Sequence, residues 1–335
     1  MQGSQILLPV DTSLIFGSLA LRVLVLDYLL RNRNAEYKKG FPSVLGKMRE
    51  KSSACTIAEF FYSLRVIMFV FTVLSAVIAF GTAYSILYGT YLDTSNPLIS
   101  NLPHPLSYSH YFANKSNPLN VYFIKNAWGW TSGLFLFLWV TSPSQKRTVR
   151  RILKWAVATG VWVLFTMQLI GPSVTDRITV ASGGACMVKL PSGEFNTIPA
   201  EVCFAGSAVG PMSHPQFFSQ IGQISSDWSA LPRLRRGHDV SGHIFLLTMS
   251  TLFLSDQLRH SQDLASRSLI HRVAIFANVL LICAWILGSY TTSVYFHAPL
   301  EKLTGYCKFF SYQRRRLYSS YIVVGLLGFG LTLLV

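Results

Sequence analysis

Apolar residues in this chain gather into long blocks. No charged residue interrupts positions 66–92, which open Val66-Ile67-Met68-Phe69-Val70-Phe71. Charge-free stretches recur at Asn126–Gln145, Trp155–Thr175, Val240–Ser255, Val273–Leu300 and Leu317–Val335. A helix crossing a bilayer needs roughly 18–20 such residues, and only the fourth stretch, which carries His243, is short. The pattern predicts an all-α membrane protein, a six-helix transmembrane bundle. Residues 14–30 add an N-terminal apolar segment broken by Arg22 and Asp27, which are costly at the middle of a lone membrane helix. An interfacial helix and a packed span are both open there. The expected division is an N-terminal apolar segment with a basic cytosolic linker over 1–59, then a transmembrane domain over 60–335 with a long loop at 172–240.

Composition sharpens this reading. Only 13% of the 335 residues are charged, about half the roughly 25% usual in soluble domains. The net charge of +15 would suit nucleic acid, but the basic residues sit in short runs between apolar blocks, so membrane topology explains them and no nucleic-acid partner is expected. The loops 31–65, 143–154 and 256–272 hold 16 Lys and Arg in 64 residues, against 12 in 121 for the loops 93–125, 172–240 and 298–316. The richer set is expected in the cytosol. Asn114-Lys115-Ser116, a glycosylation sequon, falls in the other set and fits a lumenal face. Arg314-Arg315-Arg316 is a basic run on that same lumenal side and runs against the rule. No cleavable signal peptide is evident over Met1–Ser18, so insertion would rely on the membrane helices. Five cysteines exclude a disulfide-built scaffold, and no zinc-type spacing occurs. Cys186 and Cys203 in the long loop either pair or remain free thiols.

Candidate chemistry concentrates at two helix ends. In Gly237-His238-Asp239-Val240-Ser241-Gly242-His243 a polar cluster opens directly into an apolar helix, the setting in which ionisable groups are functional candidates. Ser241 and Gly242 would start that helix and leave backbone N–H groups aimed at an anion. Arg233, Arg235 and Arg236 lie just upstream and could hold phosphate oxygens. Consecutive spans are antiparallel, so the start of the fourth and the end of the fifth share a side. His297, in Tyr295-Phe296-His297-Ala298-Pro299-Leu300-Glu301-Lys302, can therefore meet His243. One imidazole could attack phosphorus while the other protonates the leaving oxygen. Glu301 would sit one turn on if the helix passes Pro299. A metal site at His238, Asp239 and His243 is disfavoured, because that spacing does not put both imidazoles on one helical face. Tyr122, Phe123, Trp128 and Trp130 read as an aromatic belt.

Three blocks, Asn120–Thr131, His238–Leu247 and Tyr295–Lys302, occur in an order and content that resembles the fat storage-inducing transmembrane proteins, within them the fungal inositol phospholipid synthesis branch. That resemblance implies a fold related to the lipid phosphate phosphatases and an acyl-CoA diphosphatase of the endoplasmic reticulum, its active site facing the lumen. It implies cleavage of the pyrophosphate of fatty acyl-CoA to acyl 4′-phosphopantetheine and adenosine 3′,5′-bisphosphate. Lipid droplets, phospholipid balance and reticulum structure are the implied biology, with fatty acyl-CoA and membrane lipids as partners and neither cofactor nor metal. The family's two histidines fall on His243 and His297, which by analogy become general acid and nucleophile, with Glu301 in the orienting role. Val240 stands where the phosphatase motif has Pro, and the Lys-x6-Arg-Pro phosphate motif is missing. Phosphate binding therefore falls to other cations, for which Lys125, Arg233, Arg235 and Arg236 are the candidates. A non-enzymatic protein that partitions diacylglycerol or triacylglycerol is the alternative. A transporter ranks below it, because the chain shows neither an internal repeat nor paired broken helices.

Overall fold

The computed structural model describes residues 50–92, 103–166, 172–219, 224–261 and 268–306, with side chains from 68 onward. The apolar segment 14–30, the run Arg314–Arg316 and the sixth apolar stretch lie outside the described residues. Five of the six expected stretches form helices: α1 (Glu50–Tyr88), α2 (Ala127–Thr141), α3 (Val149–Thr166) and, after the long loop, two more. Within the loop come α4 (Val174–Ala181), β1 (Ala185–Lys189), β2 (Phe195–Ile198), α5 (Ala200–Ala205) and β3 (Arg233–Arg235). Then follow α6 (Gly242–Arg259), α7 (Leu269–Tyr295) and a short α8 (Pro299–Tyr306).

The chain is mostly helical and carries a small sheet, which corrects the all-α expectation. The sheet is antiparallel in the order β2-β1-β3, with Met187 opposite Thr197 on one side and Arg233 on the other. One face is apolar: Cys186, Val188, Ile198 and Leu234 pack with Val209, Phe218 and Trp228. Cys186 and Cys203 are disulfide-bonded, tying β1 to α5.

Two helices among the described residues are long and apolar enough to cross a membrane, Met68–Tyr88 and Leu269–Tyr295. Two of the other bundle helices miss that measure for visible reasons. α2 has only 15 residues, and α6 carries Thr248, Ser250, Thr251, Ser255, Asp256 and Gln257. All of these are buried, because α6 is wrapped by α1, α2, α3 and α7. A central helix shielded by its neighbours tolerates polar groups that a lipid-facing one does not. The outer surfaces are the reverse: Phe69, Phe80, Leu136, Phe137, Leu164 and Phe276 are exposed, the apolar exterior a bilayer requires.

Polar bonds and small residues set the helix spacing. Trp155 Nε1 donates to Ser132 Oγ (3.0 Å), Trp128 Nε1 to Thr159 Oγ1 (3.2 Å) and Trp285 Nε1 to Thr131 Oγ1 (3.1 Å). Trp128 thereby leaves the expected aromatic belt for the core, while Phe123 and Trp130 stay exposed and stack with centroids 5.1 Å apart. At Gly81 a Cβ would come within 2.8 Å of Ser293 Cβ, so glycine permits the approach of α1 to α7.

Candidate active site

The site forms where α6 begins and α7 ends. Ser241 is the N-cap of α6: it is fully buried and its hydroxyl accepts the Ile244 N–H. Its side chain therefore serves the helix, and its backbone N–H donates to the Glu301 carbonyl (3.3 Å). Gly242 has open space where a side chain would be, so the first turn of α6 is accessible to an anion. At Gly305 a Cβ would come within 2.8 Å of the Ser241 carbonyl oxygen, so α8 packs directly on this turn.

His297 sits in the break between α7 and α8. Its φ of +62° is a left-handed conformation rare in a residue other than glycine, the kind of local strain that clusters at functional positions. The continuous helix through Pro299 does not form. The left-handed turn brings Glu301 back instead, with Oε2 3.5 Å from His297 Nδ1, while the same oxygen accepts the Ala298 N–H (2.8 Å). Asp239 Oδ2 lies 3.7 Å from the same Nδ1. Both separations exceed a hydrogen bond, and they leave Nδ1 facing two carboxylates. Asp239 keeps 52% of its side-chain surface open, yet burial pushes its carboxyl above its ordinary value, against the pull of His297.

His243, on the first turn of α6, lies within electrostatic range of His297, Lys125 and Lys115. The start of α6 and the end of α7 thus place the two histidines within electrostatic range of each other. Lys125, one of the expected phosphate ligands, is exposed beside them. Lys115 is a further cation here, which in the sequence shows only as the middle of the Asn114-Lys115-Ser116 sequon. It interacts with Asp239, Arg233 and Lys125, and burial lowers its ammonium below the ordinary value. Arg233 and Arg235 line an adjoining cavity, and Arg235 also lies over the Phe195 ring (4.9 Å). Arg236 is exposed, has φ +71°, and is not among the residues lining that cavity. The His238 ring is held by Thr304 Oγ1 (2.7 Å) and the His238 backbone N–H donates to Ser182 Oγ (2.7 Å), so His238 fastens the strand-to-helix connection to α8 and α4.

A description of the fat storage-inducing transmembrane protein family matches residues 108–270, a span that holds Lys115, Lys125, the sheet and His243. The match takes in just under half of the chain, 163 of its 335 residues. His297 and Glu301 lie just beyond the matched span. Among relatives of this family, acyl-coenzyme A diphosphatase fit1 of Schizosaccharomyces pombe is 29% identical over 201 residues, covering 60% of this chain and 70% of its own length. Acyl-coenzyme A diphosphatase FITM2 of Homo sapiens is 29% identical over 206 residues, covering 58% and 67%. The Xenopus tropicalis protein of that name is 28% identical over 204 residues, covering 58% and 66%. The chain thus spans about two thirds of the length of these relatives. No solved structure matches it.

Proposed function

We propose that this membrane protein is a fatty acyl-CoA diphosphatase of the endoplasmic reticulum, releasing acyl 4′-phosphopantetheine and adenosine 3′,5′-bisphosphate, and so supports lipid droplet formation and phospholipid balance. The reading takes residues 60–335 as the catalytic domain, with six spans in the manner of the lipid phosphate phosphatases and the site toward the lumen. The single observation that carries it is the His297 ring: Nδ1 faces Glu301 and Asp239, so Nε2 is the nitrogen left to attack, and His243 stands in the same charged pocket. The relatives named as acyl-coenzyme A diphosphatases supply the substrate class.

The steps balance. Nε2 of His297 attacks one phosphorus of the pyrophosphate, the bridging P–O bond breaks, and the departing oxygen takes a proton from His243. Water, deprotonated by the now neutral His243, then cleaves the phosphorus–nitrogen bond, which frees the half of the substrate held on His297 as its phosphomonoester and returns His297 to the neutral ring. Glu301 and Asp239 stabilise the cationic ring formed on attack. Lys115 and Lys125 offset the charge gathering on the phosphoryl oxygens. The acyl tail stays among the membrane helices while the charged head enters the pocket.

The test is hydrolysis of oleoyl-CoA by purified protein, following adenosine 3′,5′-bisphosphate. Wild type is expected to release it, and His297→Ala and His243→Ala to lose at least about 10²-fold in kcat while remaining folded. Full activity in both variants would turn the reading to the lipid-partitioning alternative.

A further inference from the structure

The sheet of the long loop has a second face. Along β1, Cys186 and Val188 point into the apolar cluster, so Met187 and Lys189 point the other way. Along β3, Leu234 joins that cluster, so Arg233 and Arg235 share the face of Met187. Opposite this face runs the segment 103–116, held in place by His104, whose Nε2 bonds the Thr90 carbonyl (2.9 Å) and whose Nδ1 accepts the Leu106 N–H (3.0 Å). Between them lies a cavity of about 730 Å³, within the range of small-ligand sites. Lys115, Lys189, Arg233 and Arg235 all line it, and among the described residues no carboxylate does. Burial lowers the Arg235 guanidinium below its ordinary value, and Arg233 adds to the effect. Tyr108 lines the cavity and is 94% exposed as a residue.

Resting on the diphosphatase reading, we propose that this cavity is the subsite for the 3′-phosphorylated adenosine half of the coenzyme A thioester. Four cations from three segments match a ligand bearing a pyrophosphate and a further phosphate. Lys115 joins the two regions, since it interacts with Arg233 in the cavity wall and with Asp239 and His243 at the catalytic pair. The exposed Tyr108 ring offers a stacking face for the base. The catalytic histidines then meet the pyrophosphate only when the nucleotide end is seated, and the 3′-phosphate becomes a recognised feature of the substrate.

The same cations would also suit an anionic lipid headgroup, and the experiment separates the two. Full-length protein with Asn114 unglycosylated, because Asn114 and Ser116 also line the cavity, is placed in neutral phosphatidylcholine nanodiscs. It is titrated with adenosine 3′,5′-bisphosphate and with adenosine 5′-monophosphate. The bisphosphate is expected to bind at least about tenfold more tightly, and Lys189→Gln to remove most of that margin. Lys189 is exposed at the end of β1, and Lys115→Gln, in a loop, is the independent second variant. With oleoyl-CoA, Lys189→Gln is expected to raise KM about tenfold with kcat within twofold, and to change KM for the 3′-dephospho analogue far less. Equal binding of the two nucleotides, or margins unchanged in both variants, would overturn the subsite. Displacement of the bisphosphate by phosphatidic acid in the nanodisc, dependent on Lys189, would assign the cations to lipid and overturn it too. Binding requires no turnover: bisphosphate held through Lys189 by a protein that cannot cleave oleoyl-CoA would uphold the subsite and remove the diphosphatase. Cleavage with no effect of either variant would do the reverse.

Discussion

Glu301 does two jobs with one oxygen. Oε2 caps the Ala298 N–H at the start of α8 and faces the His297 ring across 3.5 Å. An amide oxygen keeps the first function and loses the charge that serves the second. Glu301→Gln is therefore expected to retain its melting temperature within about 2 °C while kcat falls about 10²-fold with little change in KM, measured on oleoyl-CoA. A variant that melted early with unchanged kcat would make Glu301 structural alone. The next residue behaves differently. Lys302 is fully buried, donates to Ser85 Oγ (2.8 Å), and burial pushes its ammonium down from 10.5 to about 7, against the pull of Glu301. The folded chain thus binds this proton less tightly than the unfolded chain. Lys302 lowers stability progressively as the pH falls from about 10.5 to about 7, and by a constant amount below. Lys302→Met should raise the melting temperature by about 3 °C or more at pH 7 and by much less near pH 10. The freed Ser85 hydroxyl still bonds the Thr82 carbonyl (2.8 Å). An equal gain at both pH values would show that packing, not the proton, decides the effect.

At the scale of elements, what the chain spells out depends on how long a pattern it has room for. The bundle helices were legible because each displays a charge-free run, and their alternation put His243 and His297 at one end without any coordinate. The sheet was not legible, because β1 has five residues and β3 only three. Arg233-Leu234-Arg235 alternates as a two-sided strand does, yet reads alone as a charged flank of the following helix. Lys115 and Lys189 were missed for the same reason, since only the folded loop brings them beside Arg233. The pairing of Cys186 with Cys203, open in the sequence, holds β1 against α5 across a separation of 17 residues. In the chain-entropy view that link contributes about 3 kcal/mol. Cys203→Ala is expected to loosen the sheet selectively: faster hydrogen exchange over residues 185–189 and 233–235, a raised KM for oleoyl-CoA, and unchanged protection in α6 and α7. Loss of protection in the helices as well would mean that sheet and bundle unfold as one unit.

Across the whole molecule, polarity is arranged from the inside outward. α6 runs through the centre with His243 on its first turn and a buried ionic cluster near its last, roughly 20 Å away at helical rise. There Asp256 accepts from Lys154 Nζ (3.0 Å) on α3 and from Arg259 Nε (2.7 Å), and Arg151 Nε donates to Gln257 Oε1 (2.9 Å). With lipid-facing apolar residues outside, these bonds fix which helix lies against α6 and at what height, a specificity that greasy contacts do not supply. Removing one partner leaves the other charge buried and uncompensated, because the Lys154 side chain is only 4% exposed. Asp256→Ala should lower unfolding stability by about 3–5 kcal/mol. The double variant Asp256→Leu with Lys154→Met, which removes both charges and keeps volume, should recover most of that loss. Catalysis provides the second readout. The first turn of α6 is held independently by the Ser241–Glu301 backbone bond and the close seat of Gly305. The kcat of the folded fraction of either variant should therefore stay within about twofold of wild type, since sites this far apart without shared partners act additively. A double variant as unstable as the single one would show that Asp256 holds the bundle through Arg259 alone. A collapse of kcat in a folded variant would show that α6 transmits the anchoring at its last turn along its length to His243, which would make the ionic cluster a determinant of catalysis as well as of assembly.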